Sequence, residues 1–101
     1  MSERLTRDAF AKNLNTKFRI YVNDAETIEA ELTEVSQELR STKQERFAIV
    51  FRGPNELFLG QGMRRFEHDQ MQRFELFIVP IGQDEEGTYY EAVFNRLITE
   101  S

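Results

Sequence analysis

The strongest constraint on the fold lies at residues 74–82, a run that is apolar on both of its strand faces. Successive side chains of a β-strand point to opposite sides, so the run divides into two apolar sets. These sets are Phe74, Leu76 and Ile78 on one face and Phe77, Val79 and Ile81 on the other. A strand of this kind needs apolar cover on both faces.

An acidic loop at residues 83–87 ends in glycine and separates this run from a second β-rich run at residues 88–94. Two such runs around a short loop predict an antiparallel hairpin. Residues 47–51 form another run that is apolar on both faces. Because three of the runs are β-rich, the sequence predicts a mainly β protein.

Further strands are predicted at residues 17–22, 27–33 and 63–69, where apolar and polar side chains alternate. The total is about six antiparallel strands, which mostly sequential pairing would arrange as a meander. Closure into a small barrel or a strongly curled sheet would remove the exposed edges.

Two irregularities are predicted within these strands. The apolar alternation slips after Thr33, and a β-bulge near Thr33 and Glu34 would restore it. Pro80 has no N–H to donate, so it fits a bulge or an edge position.

One short N-terminal helix is predicted. Thr6 is a suitable N-cap, Leu5 and Phe10 have the spacing of a hydrophobic staple, and the helix should end near Asn13 or Asn15. Phe10 and Leu14 share one face at i, i+4. A helix this short is marginal alone, so we expect this apolar stripe to dock on an outer face of the sheet.

The connections between strands carry weaker signals. Residues 40–45 read as a polar loop, and residues 57–59 as an apolar plug over one end of the core. Residues 60–62 (Gly-Gln-Gly) have no following helix and none of the rest of a phosphate-binding loop, so we interpret them as a backbone turn.

Length and charge narrow the class of protein. The 101 residues predict a single domain spanning residues 1–101, and a net charge of −5 disfavours binding to nucleic acid. No apolar run approaches the ~20 residues of a membrane span, and the N-terminus lacks the pattern of a signal peptide. We therefore expect a cytoplasmic protein without a membrane contact.

Catalytic and metal-binding signals are weak. Glu67, His68 and Asp69 are adjacent, but on a strand both carboxylates would point away from the imidazole. With one histidine and no cysteine, a zinc site would need carboxylates almost alone. We expect no catalytic residue, metal or cofactor, and we predict that His68 is exposed beside a turn.

Several polar positions leave two interpretations open. Arg64 and Arg65, with Arg73 across the turn, either guard a strand edge or contact an anionic partner. Of Tyr89 and Tyr90, one ring should join the core and the other is a candidate contact residue. Five glutamates between residues 26 and 38 are either a solvated strand face or a contact for a basic partner.

The chain resembles a family of small, functionally uncharacterised bacterial proteins that carry a domain of unknown function. The resemblance covers nearly the whole chain and rests on residues 5–10, 51–54, 61–68, 75–82 and 90–95. It implies a genomic position near phage-tail-collar-like proteins, and with it an accessory role in a phage-tail-like or secreted assembly. It implies no catalytic residues.

The first hypothesis is a non-enzymatic protein-interaction or assembly module that binds another protein or a second copy of itself. Two strands are apolar on both faces, and one short helix can cover only part of the outer surface. The candidate interaction surface consists of Phe77, Val79, Ile81, Tyr89, Arg64 and Arg65. The alternative is a small-ligand-binding β-barrel with a phenylalanine-lined interior. The weakest hypothesis is an enzyme built on His68 with Glu67 or Arg65.

Overall fold

The fold is taken from a computed structural model that describes residues 5–37, 39–40 and 44–97. Within these residues, one helix precedes seven strands. They are α1 (Arg7–Lys12), β1 (Lys17–Tyr21), β2 (Thr27–Val35), β3 (Leu39–Arg40), β4 (Gln44–Gly53), β5 (Gly62–His68), β6 (Gln72–Asp84) and β7 (Gly87–Leu97). Arg40, Gln44 and Glu45 of the predicted polar loop lie in β3 and β4, and residues 41–43 of it lie outside the described residues.

Six of these strands close into an antiparallel barrel in the order β2-β1-β5-β6-β7-β4, because β4 also pairs with β2. The short β3 pairs with the beginning of β4. The predicted barrel is therefore confirmed, together with its antiparallel pairing and its single N-terminal helix.

The predicted meander is correct only within each half of the barrel. β1, β2 and β4 are neighbours in one half, and β5, β6 and β7 in the other. The connection from β4 to β5 leaves the first half and crosses one end of the barrel to reach the second. Non-sequential ladders β1–β5 and β4–β7 then join the halves. The eight residues 54–61 make this crossing possible.

Two bulges bend the long strands where the sequence predicts them. The β2–β4 register shifts between Leu32 and Glu34, and the β6–β7 register shifts between Pro80 and Gly82. A bulge increases local twist and lets a strand follow a tightly curved barrel. The predicted places of Thr33 and Pro80 are thus confirmed.

β6 changes its ladder partner along its length. Its first part, as far as Ile78, pairs with β5, and its second part, from Val79 to Asp84, pairs with β7. β7 pairs with β4 along its whole length. Residues 74–78 of β6 therefore pair with β5, whereas residues 92–95 of β7 pair with β4.

The barrel interior is packed with aromatic rings. Neighbouring ring centroids are 5.0 Å apart for Phe51 and Phe66, 5.2 Å for Phe18 and Phe51, and 5.4 Å for Phe66 and Phe74. Aliphatic side chains from the inward positions of the strands complete the core. Large rings in mutual contact give a small barrel most of its buried apolar area.

Helix α1 closes one end of this barrel. The Thr6 side chain accepts a hydrogen bond from the N–H of Ala9 (3.1 Å), which confirms the predicted N-cap, and Asn13 is the C-cap. Phe10 is fully buried, and its ring centroid lies 5.9 Å from that of Phe74 and 5.5 Å from that of Phe94.

The expectation that α1 docks on an outer face of the sheet is wrong, because Phe10 points into the end of the barrel instead. Leu14 does not join it and is exposed. The chain turns at Asn15, which has a positive φ of 67°, before it enters β1. A ring that enters an open barrel end is surrounded on all sides, whereas a flat outer face contacts only one side of it, so the end buries more apolar area.

The connection at residues 54–61 covers the opposite end, as predicted for residues 57–59, but only in part. Leu59 is buried, and its N–H donates to the hydroxyl of the buried Tyr90 (2.9 Å). Leu57 packs against the core as well, whereas Phe58 is 64% exposed. β5 then begins at Gly62, whose φ of 152° is a conformation that favours glycine.

We predict that Phe10→Ala destabilises the fold by about 3–5 kcal/mol, because it removes a fully buried ring and opens one end of the core. Urea unfolding followed by circular dichroism measures the change. Leu14→Ala is the matched control on the same segment and should cost less than about 1 kcal/mol, since Leu14 is exposed. Equal losses for both variants would contradict the assignment of Phe10 as the plug.

Candidate interaction surface

Three exposed apolar side chains lie next to one another on the outside of the barrel. Met63 of β5 pairs with Phe77 of β6, and Val93 of β7 pairs with the half-buried Ala48 of β4. Met63 is 59% exposed, and Phe77 and Val93 are each 49% exposed. Phe77 and Val93 each lie two residues from the pair formed by Val79 and Glu91, so both face outward beside the same strand boundary.

We call the group of Met63, Phe77, Val79, Ile81 and Val93 the apolar outer face. Val79 is half-buried in it, and Ile81 is exposed at the bulge between Pro80 and Gly82. The structure thus brings together the three apolar residues that the sequence singles out. α1 lies at the end of the barrel and leaves this face uncovered by the described residues.

Met63 and Val93 are absent from the surface predicted from the sequence. The alternation along each strand could have indicated them. Met63 points to the opposite face from the buried Phe66, and Val93 to the opposite face from the buried Tyr90. Which strands are neighbours decides whether these positions adjoin Phe77, and that information comes only from the topology.

Arg64 and Arg65 of the predicted surface point to opposite faces of β5 and have different partners. Arg65 faces outward, lies 4.7 Å from the centroid of the Tyr21 ring and pairs with Asp24 (2.7 Å). Arg64 shares the inward phase of Phe66. Its Nη2 donates to the carbonyl of Gly60 (3.4 Å), while its buried Nε meets no acceptor among the described residues.

The outside of β1, β5 and the beginning of β6 carries paired charges. Glu67 lies 3.8 Å from Arg19 and 3.6 Å from Arg73, and it accepts a hydrogen bond from the Tyr21 hydroxyl (3.0 Å). That hydrogen bond is the main cause that lowers the pKa of Glu67, and the two guanidinium groups add to it. A groove of about 370 Å³ lies nearby; its lining includes Tyr21, Asp24, Arg65, Arg73 and Glu75. Carboxylates thus balance Arg65 and Arg73, which favours the interpretation of guarding charges over an anion contact.

Tyr89 and Tyr90 point to opposite faces, as predicted. Tyr90 is buried in the core, whereas the half-buried Tyr89 donates its hydroxyl to Asp84 (3.0 Å). Burial raises the pKa of Tyr89, and the hydrogen bond to Asp84 raises it further. The pKa of Asp84 is lowered, chiefly because it accepts the N–H of Glu86. Tyr89 therefore braces the β6–β7 hairpin.

The acidic stretch divides into exposed and paired carboxylates. Glu31 pairs with Arg52 (2.9 Å), and Glu29 lies 4.0 Å from Lys17. Glu34 is exposed, and Glu38 lies outside the described residues. This arrangement is closer to a solvated strand face than to a contact for a basic partner.

The prediction of an exposed His68 is wrong, because the imidazole is buried. Its Nδ1 accepts from the N–H groups of Gln70 (3.0 Å) and Met71 (3.2 Å), and its Nε2 lies 2.9 Å from Oγ1 of Thr16. The Thr16 hydroxyl donates to the carbonyl of Asn13 (2.7 Å), so Nε2 must carry the proton. The turn after His68 directs the backbone N–H groups of Gln70 and Met71 at the imidazole, and these hydrogen bonds hold the ring inside the fold.

This neutral His68 has a structural role. Its ring packs against that of Phe18 at a centroid distance of 4.0 Å, with the two ring planes tilted by 33°, while Glu67 points outward, as the sequence predicts. Among the described residues no group of three or more His, Cys, Asp and Glu side chains could hold a metal ion. The Thr16 hydroxyl lies beside Nε2, but Nδ1 accepts backbone N–H groups, so in the described part of the chain no side chain orients the imidazole as a base.

We predict that stability falls as the pH is lowered below about 6.5, the ordinary pKa of histidine, because burial lowers the pKa of His68. In this range the unfolded chain binds a proton that the folded chain does not, so acid favours unfolding. The free energy of unfolding should fall by at most about 1.4 kcal/mol per pH unit. Urea titrations between pH 7 and pH 5 measure this slope.

The control for this prediction is His68→Gln, which removes the titrating group. The variant should be less stable at pH 7 and should lose the slope above pH 5, because the lowered pKa values of Glu67 and Asp84 confine their contribution to more acidic solutions. A wild-type stability that does not change between pH 7 and pH 5 would contradict the lowered pKa of the buried His68.

A family model matches most of the chain. No curated protein and no solved structure matches the chain. No helix in the described part of the chain is long and apolar enough to span a membrane. The model of a family described as a domain of unknown function, DUF6916, matches residues 5–94, and the chain therefore belongs to this family.

Proposed function

We propose that the protein is a non-enzymatic protein-interaction or assembly module, and that the apolar outer face is its contact surface. The observation that carries the proposal is the exposure of Met63, Phe77 and Val93 on three neighbouring strands. Exposed apolar side chains that adjoin one another often mark a site where another protein binds.

The energetics of this face suit a contact. Complete burial of a Val, Met or Phe side chain is worth about 1.5–3 kcal/mol, and about half of that remains available at Met63, Phe77 and Val93. Polar side chains border the face, among them Glu75 and Glu91 on the same strands. An apolar centre with a polar rim is the usual anatomy of a protein interface.

The partner that we propose is a protein, either a different chain or a second copy. The net charge of −5 disfavours nucleic acid as the partner. The finer proposal is an accessory part of a phage-tail-like or secreted assembly, made in the bacterial cytoplasm. It is supported by the sequence resemblance described above.

The ligand-binding alternative has less support. A ligand in the interior would have to displace rings that already contact one another at centroid distances of 5.0–5.4 Å. An enzyme at His68 has less support still, because both ring nitrogens are engaged in hydrogen bonds inside the fold.

A site-specific crosslinking experiment tests the proposed function. We expect a photo-crosslinking phenylalanine analogue at Phe77, expressed in the native host, to form a protein adduct, because this ring would be covered by the partner. The same adduct should form from Val93. Phe58 is the matched control, since it is an exposed phenylalanine outside the apolar outer face.

Adducts are identified by mass spectrometry, and an adduct with a second copy of the chain counts as a protein partner. The proposal predicts an adduct yield at least about tenfold higher from Phe77 than from Phe58. Equal yields from the two positions, or no adduct from Phe77 in a correctly folded variant, would overturn it.

A further inference from the structure

We propose that His68 is a pH-sensitive switch: when its imidazole takes up a second proton, the turn at residues 69–71 opens while the strand ladders stay paired. This inference goes beyond the proposed function and does not involve the apolar outer face. The turn joins β5 to β6, and its Gln70 and Met71 direct their N–H groups at Nδ1 of His68 (3.0 and 3.2 Å). The switch follows from these two hydrogen bonds.

The imidazole is the hydrogen-bond partner that keeps the turn closed. In the described part of the chain, neither Gln70 nor Met71 donates its N–H to a backbone carbonyl. The ring accepts both bonds only while Nδ1 is unprotonated, because both ring nitrogens of the cation are donors. Protonation therefore converts two hydrogen bonds into contacts between donors, and these contacts are relieved when the turn and the ring separate.

The ring is held more firmly than the turn. It packs against Phe18 at a centroid distance of 4.0 Å, and its Nε2 donates to the Thr16 hydroxyl, which donates to the carbonyl of Asn13 at the C-cap of α1. These contacts persist on protonation, since Nε2 remains a donor. Asp69 and Gln70 of the turn are exposed. The turn is therefore the part that moves.

Two opposing contributions leave the turn close to balance. Gln72, the residue that follows it, has a positive φ of 66°, a backbone conformation that is unfavourable for a residue with a Cβ. Opening of the turn lets this residue relax. Met71 acts in the other direction, because its side chain is buried in the core and keeps the turn closed while the imidazole is neutral. Loss of two hydrogen bonds can therefore shift the balance.

The charges on the outer side of His68 do not compensate an added proton. Arg19 of β1 and Asp69 of the turn form an ion pair (3.1 Å), and Glu67 of β5 and Arg73 of β6 also line the groove beside the ring. Two positive groups thus balance two negative ones. Burial is the main cause that lowers the pKa of His68, while Asp69 opposes this effect and Arg19 adds to it.

The charges contributed by α1 are balanced in the same way. Asp8 and Lys12 line a cavity of about 340 Å³ together with Gln70 and Met71. The turn forms one wall of this cavity, so its opening in acid exposes Met71 and widens access to the end of the barrel that Phe10 fills. The expected device is a barrel end that is closed at neutral pH and accessible below it.

Amide hydrogen exchange, measured by nuclear magnetic resonance between pH 7 and pH 5, tests the switch. The opening constant of each amide is its exchange rate divided by the intrinsic rate at the same pH. Below about 6.5, the ordinary pKa of histidine, the opening constants of Gln70 and Met71 should rise by up to about tenfold per pH unit, because the open turn admits a proton that the closed turn excludes.

The amides of the β4–β7 ladder distinguish local opening from global unfolding. Their opening constants should be at least about 100-fold smaller than those of the turn at every pH. Addition of 1 M urea should raise the ladder constants at least about fivefold but change the turn constants less than about twofold, because global unfolding exposes far more surface.

Two protein variants complete the test. His68→Gln removes the titrating group and should abolish the pH dependence of the turn amides. Gln72→Gly keeps the imidazole and relaxes the backbone, so it should lower the turn constants at least about threefold at every pH and retain their pH dependence.

Turn constants that do not change between pH 7 and pH 5 would overturn the proposal. It would also be overturned if the turn and ladder constants changed together with the same urea dependence, or if the pH dependence persisted in the His68→Gln variant. The proposed function is judged separately, because crosslinking from Phe77 does not depend on the turn.

Discussion

The insertion of Phe10 into the end of the barrel is the interaction on which the rest of the structure depends. The six strands form a barrel that is filled with aromatic rings and would be open at both ends. A six-residue helix has little apolar surface with which to close it. α1 places the buried ring of Phe10 between the rings of Phe74 and Phe94, and it thereby closes one end of the core. Because Phe10 of the helix lies inside the barrel, the helix does not cover the outer face of β5, β6 and β7. The apolar side chains on that face therefore stay exposed.

The outside of the barrel therefore has two regions of different character. On β1, β5 and the beginning of β6, arginines and carboxylates neutralise one another, with Glu67 between Arg19 and Arg73. On the apolar outer face, Met63, Phe77 and Val93 adjoin without a charge among them. The first region keeps a strand surface in water, and the second provides a surface that gains free energy when it is covered.

Local pattern predicted much of this architecture. Alternation gave the strands, the slip after Thr33 located one bulge, the missing N–H of Pro80 located the other, and Thr6 capped the helix as expected. The crossing from β4 to β5 could not be predicted, because a connection of eight residues is compatible with several strand orders. The burial of Phe10 at the end of the barrel could not be predicted either, because this end forms only when the strands close into a barrel. His68 was misjudged because the turn amides that enclose its Nδ1 are ordered only in the folded chain. The outward positions of Phe77, Val79 and Ile81 could be predicted because they depend on strand phase alone.

The central claim is that the free protein leaves its apolar outer face in water while the helix fills the barrel end. The most direct measurement is solvent paramagnetic relaxation of side-chain methyl groups in a dilute sample. We predict strong relaxation for Met63, Ile81 and Val93, and weak relaxation for the buried Ile20, Ile49 and Ile78. Weak relaxation of Met63 and Val93 in a monomeric sample would mean that the chain covers this face itself, and it would contradict the account.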